Sequence, residues 1–176
     1  SAFLSTEYGI LKAEITGQAV GRDGGGGYAY NQVITRWEDT LTLDSPDLHG
    51  KIGTLTYSFY VPGSFNLSTG GLVGDQTQVA EGGVEFTIVP FEVSPSRTYA
   101  ISYSSYRGGS DTEAYPLIPQ DGLISVTQSF VFGHPVLIGA SLSLRGAAVS
   151  VYHPGASSYD LDYGHSAYWN GITDIT

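Results

Sequence analysis

Apolar and polar residues alternate along most of this chain with a period of two, and no segment sustains a helical period. Leu11, Ala13 and Ile15 face one way while Lys12, Glu14 and Thr16 face the other. Trp37, Leu41 and Leu43 alternate with Glu38, Thr40, Thr42 and Asp44; Leu55, Tyr57, Phe59 and Val61 alternate with Thr54, Thr56 and Ser58. Val84, Phe86 and Ile88 repeat the pattern, as do Tyr99, Ile101 and Tyr103. Ile124, Val126, Phe130 and Phe132 then oppose Ser125, Thr127 and Ser129. Half-buried antiparallel strands have this signature, because successive side chains point to opposite faces of a sheet. One segment changes phase. Ile138, Ala140, Leu142 and Leu144 are even, whereas Ala147, Val149 and Val151 are odd. A bulge near Gly146, or a bend between two shorter strands, is expected there.

Turn residues punctuate these runs at regular spacing: Gly24 to Gly27, Ser45-Pro46, Pro62-Gly63, Gly70-Gly71, Gly82-Gly83, Pro95, Gly108-Gly109, Pro116 to Pro119, Gly133 to Pro135 and Pro154-Gly155. Many short strands with such punctuation predict an all-β protein, an antiparallel β-sandwich of jelly-roll type with about eight to ten strands. The 176 residues fit one domain spanning 1–176, and a hydrophobic content of 41% suffices for its core. No internal repeat or linker interrupts it. Cys is absent, which excludes disulfides and thiolate metal sites. Met is absent even at position 1, so Ser1 is expected to follow a processed leader.

Charge narrows the partners. A net charge of −10 with seven Lys and Arg cannot assemble the cationic surface that nucleic acid requires. No apolar run reaches the ~18–20 residues of a membrane-spanning helix. Catalysis finds no handle either. The four His lie in turn-like segments, no Ser sits in a nucleophile elbow, and no carboxylate pair is singled out by spacing. No catalytic residue is assigned, and the chain is expected not to be an enzyme.

Contact chemistry is better represented. From Ser157 to Ala167 the chain reads as a polar, tyrosine-rich loop leading into a strand at Tyr168. Tyr159, Tyr163, Tyr168 and Trp169 are therefore candidate interface or ligand contacts, since aromatic rings stack on sugars and anchor protein interfaces. In the same stretch Asp160 and Asp162 alternate, and they are the candidate ligands for calcium, which takes six to eight oxygens. Asp44 and Asp47 around Ser45-Pro46 offer a second acidic turn. Residues 1–10 form a short extended segment in which Phe3 and Tyr8 could fill pockets, so this segment is a candidate arm for exchange between subunits.

Two segments carry a resemblance. Residues 38–64, EDTLTLDSPDLHGKIGTLTYSFYVPGS, and the tail 167–176, AYWNGITDIT, are similar to the body of the bacterial PEP-CTERM proteins. There a D-T-L-T strand runs into G-x-x-G-T-L-x-F-x-F-x-V-x-G, and the body closes on L-x-W-x-G-I-T-x-V-T. Tyr8 to Ala13 resembles the start of such bodies. The resemblance implies secretion, sorting by an exosortase and a place in the extracellular matrix beside exopolysaccharide. The Pro-Glu-Pro motif, hydrophobic span and basic end of that family are not in these residues. Two functions are expected on this basis. The first is a non-enzymatic secreted structural protein, assembling with copies of itself by β-strand addition. The alternative is a carbohydrate-binding β-sandwich module, helped by calcium, that takes extracellular polysaccharide.

Overall fold

The computed structural model describes residues 1–22, 24–70, 78–89, 97–106, 109–115, 122–151 and 155–176. The expected turns at Gly70-Gly71, Pro95, Gly108-Gly109, Pro116 to Pro119 and Pro154-Gly155 fall wholly or partly outside them, and Gly82-Gly83, expected as a turn, lies inside a strand paired on both sides. Among the described residues there is no helix, and the alternating runs form eleven strands. These are β1 (Ala2–Glu7), β2 (Ile10–Gly21), β3 (Gly27–Thr42), β4 (Ile52–Tyr60), β5 (Ser64–Gly70) and β6 (Gln78–Val89), then β7 (Arg97–Tyr106), β8 (Gly109–Tyr115), β9 (Leu123–Val131), β10 (Pro135–Ser150) and β11 (Gly155–Ile175).

All pairings are antiparallel. One sheet runs β1-β2-β11-β4-β9, with β5 also on β11, and the other runs β3-β10-β6-β7-β8. The pairs nest: β2 with β11, β3 with β10, β4 with β9, β6 with β7. The first long strand thus meets the last, the second meets the last but one, and so inward. A long hairpin folded over on itself in this way is a jelly roll. The antiparallel sandwich expected from the sequence is the architecture found.

The core lies between the sheets. Leu11, Ala13 and Ile15 of β2, Leu55, Tyr57 and Phe59 of β4, Val84, Phe86 and Ile88 of β6, and Ile138, Ala140, Leu142 and Leu144 of β10 are all buried. Their rings interlock across the layers, with Phe59 edge-on to Tyr57 at 5.9 Å and to Phe86 at 5.4 Å. Each large apolar side chain so buried contributes about 1.5–3 kcal/mol.

The phase change in β10 has a different cause from the one expected. Its register against β3 and β6 is unbroken through Gly146, so there is neither a bulge nor a bend. Gly146 takes an inward position, where a side chain would meet the Tyr159 ring, and Ala148 and Ser150 continue the buried face. Ala147 and Val149 point outward, in register with the exposed Tyr30 and Tyr28 of β3. An outward apolar pair, next to an inward glycine, had mimicked a slip of register.

The stretch read as a loop before Tyr168 is also corrected. Residues 155–175 are one strand, β11, pairing with β2 on one side and with β5 and then β4 on the other. The alternation is present, but Ser157, Tyr159, Leu161 and Tyr163 carry it, and three of those four side chains end in hydroxyls. Between Tyr163 and Ala167 β11 advances four residues while β2 advances two, from Ala13 to Leu11. Two additional residues preserve parity, so Ala167 and Trp169 still face the core side. Opposite this irregularity β4 and β5 are separated by Val61-Pro62-Gly63, where Pro62 has no amide for the ladder.

Candidate functional site

Tyr8 and Gly9 form the two-residue turn from β1 to β2, and Gly9 takes φ +66°, where a side chain would be strained. The Gly9 carbonyl accepts the Trp169 amide at 2.7 Å, tying the turn to β11. This places Tyr8 over Trp37 of β3 and Trp169, with ring centroids 5.4 Å and 6.4 Å away, and the two indoles lie 5.5 Å apart. Trp37 continues inward to Phe59 at 6.4 Å. The Tyr8 hydroxyl donates to Asp39 Oδ2 at 3.0 Å. That hydrogen bond, then partial desolvation and the Asp39 charge, raise the phenol's pKa above 10.0. Trp169 Nε1 is buried with no hydrogen-bond partner. Tyr8, Trp37, Asp39 and Trp169 thus form an aromatic wedge closing one end of the sandwich, exposed at Tyr8 and buried at Trp37.

The sequence-predicted contacts divide between surface and core. Tyr168 is exposed and packs on Tyr60 at a centroid distance of 5.3 Å, on the sheet face opposite Trp169. Phe3 is exposed on β1. Tyr159 and Tyr163 are not surface contacts. Tyr159 is 1% exposed, its ring is slotted between Gly17 and Gly146, and its hydroxyl accepts a 2.8 Å hydrogen bond from Asn31 Nδ2. Tyr163 is buried where Gly63 leaves room for its ring. Asp160 and Asp162 lie on the outer face of β11, with Asp162 in register with Glu14 of β2. No group of three or more His, Cys, Asp or Glu side chains that could hold a metal ion occurs among the described residues. Asp44 is occupied locally, accepting from the Ser45 amide at 2.9 Å and lying 3.1 Å from His49 Nδ1. No helix of the described residues is long and apolar enough to cross a membrane.

The segment 1–10 pairs with its own chain: Ala2 to Glu7 run antiparallel to Ile15 to Ile10 of β2. Except for Ser5 every β1 residue is exposed, so the backbone ladder, and little buried area, holds it. β1 is one of the edges where sheet pairing stops, with β3, β5, β8 and β9 among the described residues. Natural edges carry charge to prevent pairing with another chain. Glu7 marks β1; Arg36, Glu38 and Asp39 mark β3; Asp111 and Glu113 mark β8. β5 and β9 have no charged residue, and β9 (LISVTQSFV) is the longer and lacks glycine.

No family model, no curated protein and no solved structure matches this chain. The resemblance to PEP-CTERM bodies therefore rests on the two segments that carry it. In the fold these segments are neighbours, because Trp169 to Ile175 pairs with Phe59 to Leu55.

Sequence reasoning missed two features. The first is the Trp37–Trp169 pair, which joins residues far apart in the chain and leaves no local signal. The second is the outer face of β4, β9 and the end of β11, where Thr54, Thr56, Ser125, Thr127, Ser129 and Thr176 gather. Its signal was in the sequence, as the polar half of the alternation. Such an array offers hydroxyl donors and acceptors, with Asp174 as the charge in register with Thr56.

Proposed function

We propose that this chain is a non-enzymatic, exported structural protein of a bacterial extracellular matrix, and that copies assemble by β-strand addition at β9. The observation that carries the reading is the uncharged edge. Along Ser125–Val131, β9, a strand of nine residues and about 30 Å, has β4 as its one sheet partner among the described residues, and it carries no charge to repel a second strand. The complementary edge is β1 of the next copy, at the far end of the same sheet, held by one neighbour and with Phe3 and Leu4 exposed. An edge-to-edge contact of β9 with β1 is heterologous. It continues the sheet from copy to copy and does not close, so it builds a filament. The net charge of −10 opposes this approach, and salt relieves it.

Negative-stain electron microscopy and sedimentation velocity test the proposal. Filaments form at high protein concentration, more readily in roughly 0.15 M salt than in 0.01 M. Replacing Ser125 and Ser129, exposed on β9, by lysine returns monomers with unchanged folding. Monodisperse monomers of the wild-type chain at high concentration and high salt would sink the assembly reading.

A further inference from the structure

We propose that the outer face of the β9–β4–β11 end of the first sheet binds an uncharged polysaccharide, with Tyr60 and Tyr168 stacking on its pyranose rings. Pairing places side chains in rows across three strands. Leu123, Tyr60 and Tyr168 share one row, and Ser125 with Ser58 the next. Thr127 with Thr56, then Ser129 with Thr54, complete the series. Tyr60 and Tyr168 lie side by side, 5.3 Å between centroids and tilted by 48°, and Tyr168 is 39% exposed. A pyranose presents a face of C–H groups flanked by hydroxyls. An aromatic face, negative in its quadrupole, attracts the former, and neighbouring polar groups take the latter.

Those neighbours are hydroxyls and an amide. Thr56 and Thr127 Oγ1 are 2.9 Å apart, Thr54 and Thr176 Oγ1 are 2.5 Å apart, and Asn170 Nδ2 donates to Ser58 Oγ at 3.1 Å. Each hydroxyl has one donor and two acceptor sites, so the two threonine pairs leave acceptor capacity for a ligand, while Ser58 is buried and Asn170 is the exposed polar group beside it. The charge distribution selects the ligand class. On a chain of net charge −10 these rows hold one ionised side chain, the exposed Asp174 in the row of Thr56 and Thr127. An anionic polymer meets only repulsion here, and a cationic one finds denser carboxylates around Asp160, Asp162 and Glu14. Size argues against a second copy as the occupant. Three strands about 4.8 Å apart and four rows about 6.8 Å apart span roughly 400 Å², half of the about 800 Å² per partner of a stable protein interface. A single glycan chain needs no more.

The inference uses side chains on this face and is separate from the proposed assembly, which uses the backbone edge of β9. Affinity electrophoresis at low protein concentration through hydroxyethyl cellulose, galactomannan or dextran, with alginate as the anionic control, tests it. Retardation by at least one neutral polymer and not by alginate is expected. Tyr168→Ala should weaken it roughly tenfold and Tyr168→Phe should keep it. Tyrosine iodination mapped by mass spectrometry reads the same surface without mutation, and bound polymer should protect Tyr60 and Tyr168. The inference is overturned by no retardation in any of the three neutral polymers, by equal retardation of Tyr168→Ala, or by undiminished iodination of both tyrosines. Sedimentation velocity on Tyr168→Ala separates the two readings. A variant that still assembles but no longer binds glycan supports the inference. One that loses assembly with glycan binding intact overturns it and assigns the face to contacts between copies.

Discussion

Replacing Gly146 by alanine puts the packing of the two sheets under direct test. The Tyr159 ring fills a slot between Gly146 of β10 and Gly17 of β2. A β-carbon at Gly146 would lie 2.4 Å from Tyr159 Cδ2 and 2.5 Å from Cε2, and one at Gly17 would lie 2.4 Å from Cζ. Carbon atoms pack at about 3.5–4.0 Å, so the added methyl overlaps the ring by roughly 1 Å. The ring has nowhere to retreat, because Gly17 backs it on the far side and Asn31 holds its hydroxyl at 2.8 Å. β10 cannot yield either, since it is paired along its length with both β3 and β6. Overpacking of this kind costs about 1–3 kcal/mol, and the smaller freedom of the unfolded chain returns about 0.4–1 kcal/mol. The expected net loss is about 1.3 kcal/mol, a fall in Tm of roughly 3–5 °C for a chain of this size. Thermal and urea unfolding followed by the fluorescence of Trp37 and Trp169 measures it. In a Tyr159→Leu background the slot is empty and Gly146→Ala should cost nothing, so a double-mutant cycle should give a coupling of at least about 1 kcal/mol. A wild-type-background Gly146→Ala that melts at the same temperature or higher would refute the slot.

Two further outcomes follow from the packing of the sheets and the geometry of a turn. Burial raises the Tyr159 pKa above 10.0, against the lowering effect of the Asn31 hydrogen bond and with reinforcement from the charges of Tyr28 and Tyr30. Because the folded chain keeps this proton where the unfolded chain loses it, the contribution is complete below pH 10.0 and disappears as pH rises through the folded value. Tm should drop on alkaline titration, and Tyr159→Phe should flatten the drop; parallel curves would place the cause elsewhere. At the β2–β3 turn, where Arg22 and Gly25 exchange backbone hydrogen bonds of 3.2 Å and 3.0 Å, a β-carbon at Gly25 meets nothing within 4 Å. Gly25→Ala should therefore raise stability by about 0.4–1 kcal/mol, read as a Tm increase of a few degrees, and a decrease would contradict the open geometry.

The strands legible in the sequence are those whose buried half is plainly apolar. β2, β4 and β9 present Leu11, Ala13 and Ile15, then Leu55, Tyr57 and Phe59, then Ile124, Val126 and Phe130, each opposite hydroxyls or charges. β11 escaped because its inward side chains are polar-tipped. Ser157 is buried because its Oγ donates to the Val149 carbonyl at 2.9 Å, and Tyr159 because Asn31 reaches it from 128 residues away. Those partners exist only after the sheets have met, so a local pattern cannot announce them. The Tyr8–Trp37–Trp169 wedge is invisible for the same reason. Tyr168 is exposed, as expected of a residue opposite the inward Ala167 and Trp169 on β11. Tyr159 and Tyr163 were drawn into the same surface cluster only because the intervening residues looked like a loop.

The irregularity in β11 also explains how one sheet comes to have two outer surfaces. Before it, β11 sets Asp160 beside Thr16 and Asn66, and Asp162 beside Glu14 and Ser64, an acidic field with Lys12 as its near cation. Beyond it, the strand leaves β2 at Tyr168 and pairs with β4, where the facing residues are Tyr60, Ser58 and Thr56. Pro62-Gly63 interrupts the opposite strand at the same level, where β5 gives way to β4 as the partner of β11. A continuous β11 would have carried its carboxylates on toward β9. Like charges facing each other across strands are destabilising, and spreading them along the sheet would also have put negative charge beside the β9 edge. Asp160 and Asp162 lie on one side of the irregularity and Asp174 is the one carboxylate of β11 on the other, so the surface shared with β4 is less acidic than the surface shared with β2.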